Sequence, residues 1–241
     1  MYAMTVTLRA TQLLAAGLLS AATVSGCGGA GPAPIAPVGM IPTDRATIAN
    51  WRRPYVPAQA RRYNIRPWQF RNERGSAAGR ATVVILPPDS LRFDYRGPFR
   101  QTGKAALVGD SALWVEPEDE LGNLVGVAPL FWASLGVPPA PPEGATIHAV
   151  QRPALRAWQY AHQGDTITFV IHEHPVLRIL GEVRRDGRTV TRAEATLDSL
   201  TRYVRQATIE YPLDVSRFAF DVESVEEGVE VDRARFLSRE Q

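Results

Sequence analysis

The chain has 241 residues, of which 45% are hydrophobic and 22% are charged, and its formal net charge is +2. These proportions exclude a disordered tail, a collagen-like fibre and a histone-like polycation, and the length fits one large domain or two small ones. Cys27 is the single cysteine, which excludes a disulfide framework and a zinc site built from cysteines. Some other chemistry must therefore account for Cys27.

Residues 1–26 have the pattern of a secretory signal, because Arg9 precedes an apolar run from Leu13 to Val24. The run is shorter than the roughly 20 apolar residues that a membrane-spanning helix needs. Small residues lead directly to Cys27, and this arrangement resembles the lipobox of bacterial lipoproteins, in which the cysteine is acylated. The resemblance implies that Cys27 is a lipid anchor. Gly28 stands where an aspartate would indicate retention in the inner membrane, so the outer membrane is the expected location.

The domain boundaries follow from composition. Residues 27–42 are rich in glycine, alanine and proline, which predicts a tether that does not pack into a core. The folded domain is expected over residues 43–224, and a polar segment is expected over residues 225–241. At the start of the domain, a capped helix is predicted at Arg45–Trp51.

Apolar alternation and turn residues recur at short intervals after that helix and predict about ten strands. Asp186-Gly187 is the strongest hairpin signal, because this dipeptide adopts the positive dihedral angles of a tight turn. The almost uncharged stretch from Leu124 to Leu135 predicts a short helix beneath one face of the sheet. The expected fold is mainly β (α+β), an open, curved antiparallel sheet that forms an incomplete barrel, with short helices covering the concave face.

The block Gly79–Trp114 combines a strand and turn, the segment Leu91–Tyr95, a loop at Gly97-Pro98-Phe99 and a further strand pair. This block resembles the LolB branch of the LolA/LolB lipoprotein-localisation family, and so does the order of lipobox, helix, strands, loop, apolar helix and hairpins. The resemblance implies a half-barrel whose apolar cavity receives the acyl chains of lipoproteins. It also implies that Phe99 is the exposed loop residue that passes cargo to the membrane. Arg100 stands where the family has a small residue, and packing of Phe99 under its own hairpin is the alternative.

Ten aromatic residues are candidates for the lining of this cavity, and ordinary core packing is the alternative role for each of them. They are Trp68, Phe70, Phe93, Tyr95, Trp114, Phe131, Trp132, Trp158, Tyr160 and Phe169. The resemblance further implies a monomer that contacts the membrane through its N-terminal acyl chains. Its implied partners are acylated lipoproteins or a periplasmic carrier.

Two other kinds of chemistry have weaker signals. The turn Gly109-Asp110-Ser111 resembles the nucleophile block of GDSL-type esterases, but the D-x-x-H motif of those enzymes is absent from the sequence. His172 and His174 share one face of a predicted strand, a spacing that can start a metal site, yet no third ligand is near. No glycine-rich nucleotide-binding motif stands at the start of a predicted helix. We therefore predict no cofactor and no metal, and an esterase based on Ser111 is a minor alternative.

Charge is distributed unevenly along the chain. Residues 44–104 contain 13 basic and 4 acidic residues, whereas residues 105–241 contain 13 basic and 21 acidic residues. The basic part either faces anionic head groups or only decorates the polar faces of strands. Nucleic acid is not an expected partner of an exported chain. The sequence thus predicts a non-enzymatic, lipid-anchored outer-membrane protein that binds an apolar chain. The alternative is an interaction subunit of an envelope assembly machine.

Overall fold

The computed structural model describes residues 32–98, 101–118, 122 and 127–238. The strands are β1 (Ile41–Thr43), β2 (Arg61–Asn72), β3 (Gly75–Leu86), β4 (Ser90–Arg96), β5 (Thr102–Val108), β6 (Ser111–Glu116), β7 (Ile147–Arg152), β8 (Leu155–His162), β9 (Asp165–His172), β10 (Arg178–Arg185), β11 (Arg188–Leu197), β12 (Val204–Tyr211) and β13 (Ser216–Glu227). The helices are α1 (Arg45–Arg52), α2 (Ala128–Ser134) and α3 (Arg233–Leu237). A 3-10 turn at Arg53–Tyr55 follows α1.

The thirteen strands of the described residues form one antiparallel sheet in the order β1-β7-β8-β9-β10-β11-β12-β13-β2-β3-β4-β5-β6. Because β1 and β6 are its two edges, the sheet is open and not closed into a barrel. The predicted fold class is confirmed. The predicted hairpin at β10 and β11 is also present, and Asp186 and Gly187 have the positive φ values, 50° and 73°, that such a turn requires.

Helix α1 begins where the sequence predicts it. The side chain of Asp44 accepts a hydrogen bond of 2.6 Å from the backbone N–H of Thr47, which lowers the pKa of the Asp44 carboxyl. Ile48 is the buried residue of this short helix. No helix among the described residues has the length and apolar character that crossing a bilayer requires.

Residues before position 43, the predicted start of the folded domain, already contact the sheet. Residues Ile41–Thr43 pair with Ile147–Ala149 at one edge of the sheet. The backbone N–H of Ile35 donates to the Glu182 carboxylate at 3.1 Å. The last part of the expected tether therefore contacts the sheet. The N-terminal segment makes these contacts through its backbone groups, so its composition gives no sign of them.

The first residues of the predicted polar segment 225–241 belong to the sheet. Strand β13 continues to Glu227, where an ion pair of 2.6 Å joins Glu227 to Arg61 of β2. Beyond it, α3 buries Phe236. The guanidinium of Arg92 in β4 donates to the carbonyl of Phe236 at 3.3 Å. This segment thus lies against the outer face of the sheet, opposite the hydrophobic core.

Candidate acyl-chain site

Nine of the ten aromatic candidates lie in one hydrophobic core or pack against it. Eight of them are buried and Phe70 is half-buried, and the buried ones are Trp68, Phe93, Tyr95, Phe131, Trp132, Trp158, Tyr160 and Phe169. Trp114 is the exception, because its ring lies 5.4 Å from the guanidinium of Arg92 on the outer face. The pairing of β5 with β6 shifts register after Ala106, so Trp114 stands opposite Ala106 and Arg92 instead of facing the core.

Small side chains lie in the middle of the concave face, with large ones on either side. One row of cross-strand neighbours, from β8 to β2, reads Trp158, Phe169, Gly181, Ala193, Ile209, Phe218 and Phe70. The next row reads Ile171, Ile179, Ala195, Ala207, Phe220 and Trp68. We call Gly181, Ala193, Ala195 and Ala207 the small-residue floor. Because these residues fill little space, the sheet forms a trough along β10, β11 and β12.

Helix α2 occupies this trough, packing against β10, β11 and β12. A Cβ atom at Gly181 would lie 2.6 Å from Cδ2 of Leu130, so a glycine is what allows this close approach. The ring of Phe131 meets that of Phe93 edge to face, with 5.5 Å between the ring centroids. Leu130 and Phe131 are at most 1% exposed. In the described structure, apolar side chains of α2 therefore take up the space above the floor.

Three hydrogen bonds from elsewhere in the fold hold α2 and the turn after it. Trp132 Nε1 donates to the Gly109 carbonyl at 2.6 Å, and the Tyr63 hydroxyl donates to the Leu135 carbonyl at 3.2 Å. Arg52 Nε donates to the Pro138 carbonyl at 2.5 Å. The helix has only seven residues, no side-chain N-cap and no charged residue in its first or last turn. Such a helix is marginal on its own, so its position depends on these tertiary contacts.

Burial shifts the pKa values of three ionisable groups that lie in or beside this core. Burial raises the pKa of the Tyr160 hydroxyl, and the nearby Asp110 carboxylate raises it further. Burial also raises the pKa of the Tyr63 hydroxyl, against the opposing effect of Arg61. Burial lowers the pKa of Arg52 to about 10. At neutral pH both tyrosines are therefore neutral and Arg52 is charged.

The indole N–H of Trp158 is a buried donor of the core that has no acceptor among the described residues. Trp158 is 0% exposed, and its Nε1–H makes no hydrogen bond within the described part of the chain. A buried donor without a partner costs about 1–3 kcal/mol. Trp158 stands in the same row as Gly181, two strands away, with Phe169 between them.

The turn between β5 and β6 brings together groups that sequence reasoning had separated. The Ser111 hydroxyl donates to one oxygen of Asp110 at 3.2 Å, and His162 Nε2 lies 3.5 Å from the other oxygen. The carboxylate thus lies between the hydroxyl and the imidazole. Acyl transfer requires the imidazole itself to contact the hydroxyl. This arrangement does not support the esterase alternative.

His172, one of the two histidines considered as metal ligands, has no cluster of other ligands around it among the described residues. His172, at the end of β9, stands opposite Leu155 and Arg178. Burial, and secondarily Arg178, lowers the pKa of its imidazole. No group of three or more His, Cys, Asp or Glu side chains in the described residues could hold a metal ion.

Cys27 and Phe99 lie outside the described residues. Sequence reasoning also missed Arg52 and Gly181 as residues that position α2. Gly181 does carry a signal, because a glycine within a predicted strand often marks a close approach by another part of the chain. Nothing in the sequence distinguishes Arg52 from the other arginines near it.

No family model matches this chain, and no curated protein matches it. Among solved structures, a LolA superfamily protein from Nitrosomonas europaea is similar to it with a TM-score of 0.52 and 9% sequence identity. That alignment covers 80% of this chain and 97% of the other. A DUF1329 family protein from Desulfovibrio piger aligns with a TM-score of 0.45 and 10% identity, over 80% of this chain and 95% of the other. The likeness to the Nitrosomonas protein shows that the two chains share a fold.

Proposed function

We propose that this chain is a lipid-anchored envelope protein that binds an apolar acyl chain between α2 and the small-residue floor. The observation that carries the proposal is the trough itself, in which four small residues lie between aromatic walls and a short apolar helix fills the space. The shared fold with a LolA superfamily protein supports it. An acyl chain would replace the contact of Leu130 with the floor, so apolar surface stays buried when α2 moves away.

The polar end of the ligand also has a candidate partner. An ester or carboxyl oxygen that extends from the trough to β8 would accept the hydrogen bond of Trp158 Nε1–H, which has no acceptor among the described residues. Ligand binding would then relieve the cost of that buried donor. We therefore propose a ligand with an acyl chain and an adjoining carbonyl, which is the chemistry of an acylated lipoprotein.

The hydrogen bond of Trp132 should control access to the trough. Replacing Trp132→Phe removes the bond to Gly109 and keeps an aromatic ring. We expect the free energy of unfolding to fall by about 1–2 kcal/mol, and a fluorescent acyl probe to enter faster, because α2 is held less firmly. Trp51→Phe is the matched control, since Trp51 is half-buried against the same core in α1. Equal entry rates in the two variants, measured by stopped-flow fluorescence, would contradict this role.

The proposal includes an anchor at Cys27 in the outer membrane and a transfer role for Phe99, both of which rest on the sequence. Cys27→Ala should release the protein from the membrane fraction into the soluble fraction, because no acyl chains can then be attached. Ser25→Ala keeps a small residue before the cysteine and is the control that should remain in the membrane. Retention of the Cys27→Ala protein in the membrane fraction would reject the anchor.

A second function is favoured by one observation. Because α2 already fills the trough, the sheet would serve equally well as a rigid interaction module without a cavity. The two functions differ in one property, which is whether a purified chain takes up an acyl probe saturably. Uptake that is absent at every probe concentration would favour the interaction module.

A further inference from the structure

A groove of about 880 Å³ crosses the outer face of β2 to β5, on the side of the sheet opposite α2. Its basic lining consists of Arg62, Arg66, Arg80, Arg92, Arg96 and Lys104. These residues come from the positively charged part of the sequence. The fold gathers them because each occupies an outward-facing position on its strand, where alternate residues share a face.

Cross-strand register divides the groove into three rows. The first row is Arg62, Val84 and Arg92, and the second is Asn64, Thr82, Asp94 and Lys104. In the third row, Arg80 stands directly opposite Arg96, and Arg66 lies in the irregular part of β2 beside them. Successive rows are about 7 Å apart along the strands, and neighbouring strands are about 4.8 Å apart. Three guanidinium groups therefore meet at one end of the groove.

The first row is already occupied by protein. Arg92 is 4% exposed, forms an ion pair of 3.0 Å with Asp94, and donates to the carbonyls of Phe236 and Ser238. Arg62 forms an ion pair of 3.0 Å with Glu226. Glu230 and Asp232 also line the groove, and Glu223 of β13 lines it beside Asn64 and Ile65, between the second and third rows. The C-terminal segment thus forms a wall at this end.

The arginines of the third row, in contrast to those of the first, are exposed and form no ion pair within the described residues. Arg66, Arg80 and Arg96 are exposed, and none of them has a carboxylate within 4 Å among the described residues. Like charges directly opposite each other on neighbouring strands are destabilising. Lys104, in the second row, stands between Asp94 of β4 and Glu116 of β6, so opposite charges flank it across the strands. Arg80 and Arg96 therefore repel each other at one end of the groove, while the C-terminal segment closes the other end.

We propose that this end of the groove binds the phosphate groups of an anionic ligand. Guanidinium groups match phosphate oxygens with paired, charge-assisted hydrogen bonds, and several of them on adjacent strands suit two neighbouring phosphates or one phosphate with a second anion. Phosphate of this kind occurs in lipid head groups and in free polyphosphates. The site and the trough lie on opposite faces of the sheet. A test of phosphate binding is therefore independent of the proposed acyl-chain function.

The test compares the full chain with two triple variants, all in a neutral detergent. The site variant carries Arg66→Gln, Arg80→Gln and Arg96→Gln. The control variant carries Arg71→Gln, Arg74→Gln and Arg188→Gln, which remove the same charge from exposed residues that do not line the groove. Inorganic pyrophosphate is the free probe, measured by isothermal titration. Mixed micelles containing phosphatidylglycerol, measured against micelles containing phosphatidylcholine, are the lipid probe.

We expect saturable binding of at least one probe, and affinity about tenfold or more weaker in the site variant, because three charge-assisted contacts are lost. The control variant should bind within about twofold of the unmodified chain at 0.15 M salt, where distant surface charges are screened. Binding of pyrophosphate alone identifies a free phosphate ligand, and binding of phosphatidylglycerol alone identifies a head group. No binding of either probe, or equal losses in both variants, would overturn the proposal.

Discussion

Replacing Phe131→Ala should lower the free energy of unfolding by about 3–5 kcal/mol and strengthen the binding of an acyl probe. The loss of stability follows from the cavity that a fully buried ring leaves behind when it is removed. The gain in binding is expected because this cavity opens beside Phe93, next to the helix that covers the small-residue floor, where the acyl chain is proposed to lie. Chemical denaturation with and without the probe measures both effects.

The matched control for this variant is Phe236→Ala. Phe236 is also a buried phenylalanine, but it belongs to α3 on the outer face. Its removal should destabilise the fold without changing the affinity for the probe. If Phe131→Ala binds the probe no more tightly than Phe236→Ala does, the space occupied by α2 is not the ligand site.

Glu182→Leu should destabilise the fold by about 3–5 kcal/mol, because it removes one partner from a buried network of ions. Glu182 is 0% exposed and faces away from the core. Its carboxylate accepts hydrogen bonds from Arg192 at 2.8 Å, Thr189 at 2.9 Å and the backbone of Ile35 at 3.1 Å. Denaturation measures the loss. Limited proteolysis should also show faster cleavage within residues 34–43, since the bond to Ile35 is gone.

Glu194→Leu makes the same chemical change at an exposed position. Glu194 pairs with Arg178 at 3.2 Å on the neighbouring strand, and both side chains are at least 40% exposed. A surface pair of this kind contributes about 0–1 kcal/mol. Losses of equal size in the two variants would mean that the network around Glu182 does not hold the N-terminal segment.

The strands were predictable because their alternation is strong and their turns are short. Asp186-Gly187 marked its hairpin correctly, and the apolar stretch before Leu135 contains α2. Strand β1 was not predictable, because a three-residue strand that pairs through its backbone has no pattern of side chains. The face of the sheet on which Trp114 lies was also not predictable, because it depends on a register shift between β5 and β6.

The candidate site was only partly predictable, for a related reason. Sequence identifies large aromatic residues, and nine of the ten candidates lie in or against one core. The trough depends on Gly181, Ala193, Ala195 and Ala207 meeting across three strands, and only the register brings these residues together. The basic groove has the same origin. An excess of arginines was visible in the sequence, but the opposition of Arg80 and Arg96 required the pairing of β3 with β4.

The most direct test of the acyl-chain site is photo-crosslinking with a palmitate analogue that carries a photoreactive group at the end of its chain. The purified protein is irradiated with the probe, with and without excess palmitate, and the modified residues are located by mass spectrometry. We predict saturable labelling in β10, β11 and β12, near Gly181, that excess palmitate abolishes. Labelling confined to the outer face, or labelling that palmitate does not reduce, would contradict the proposed site.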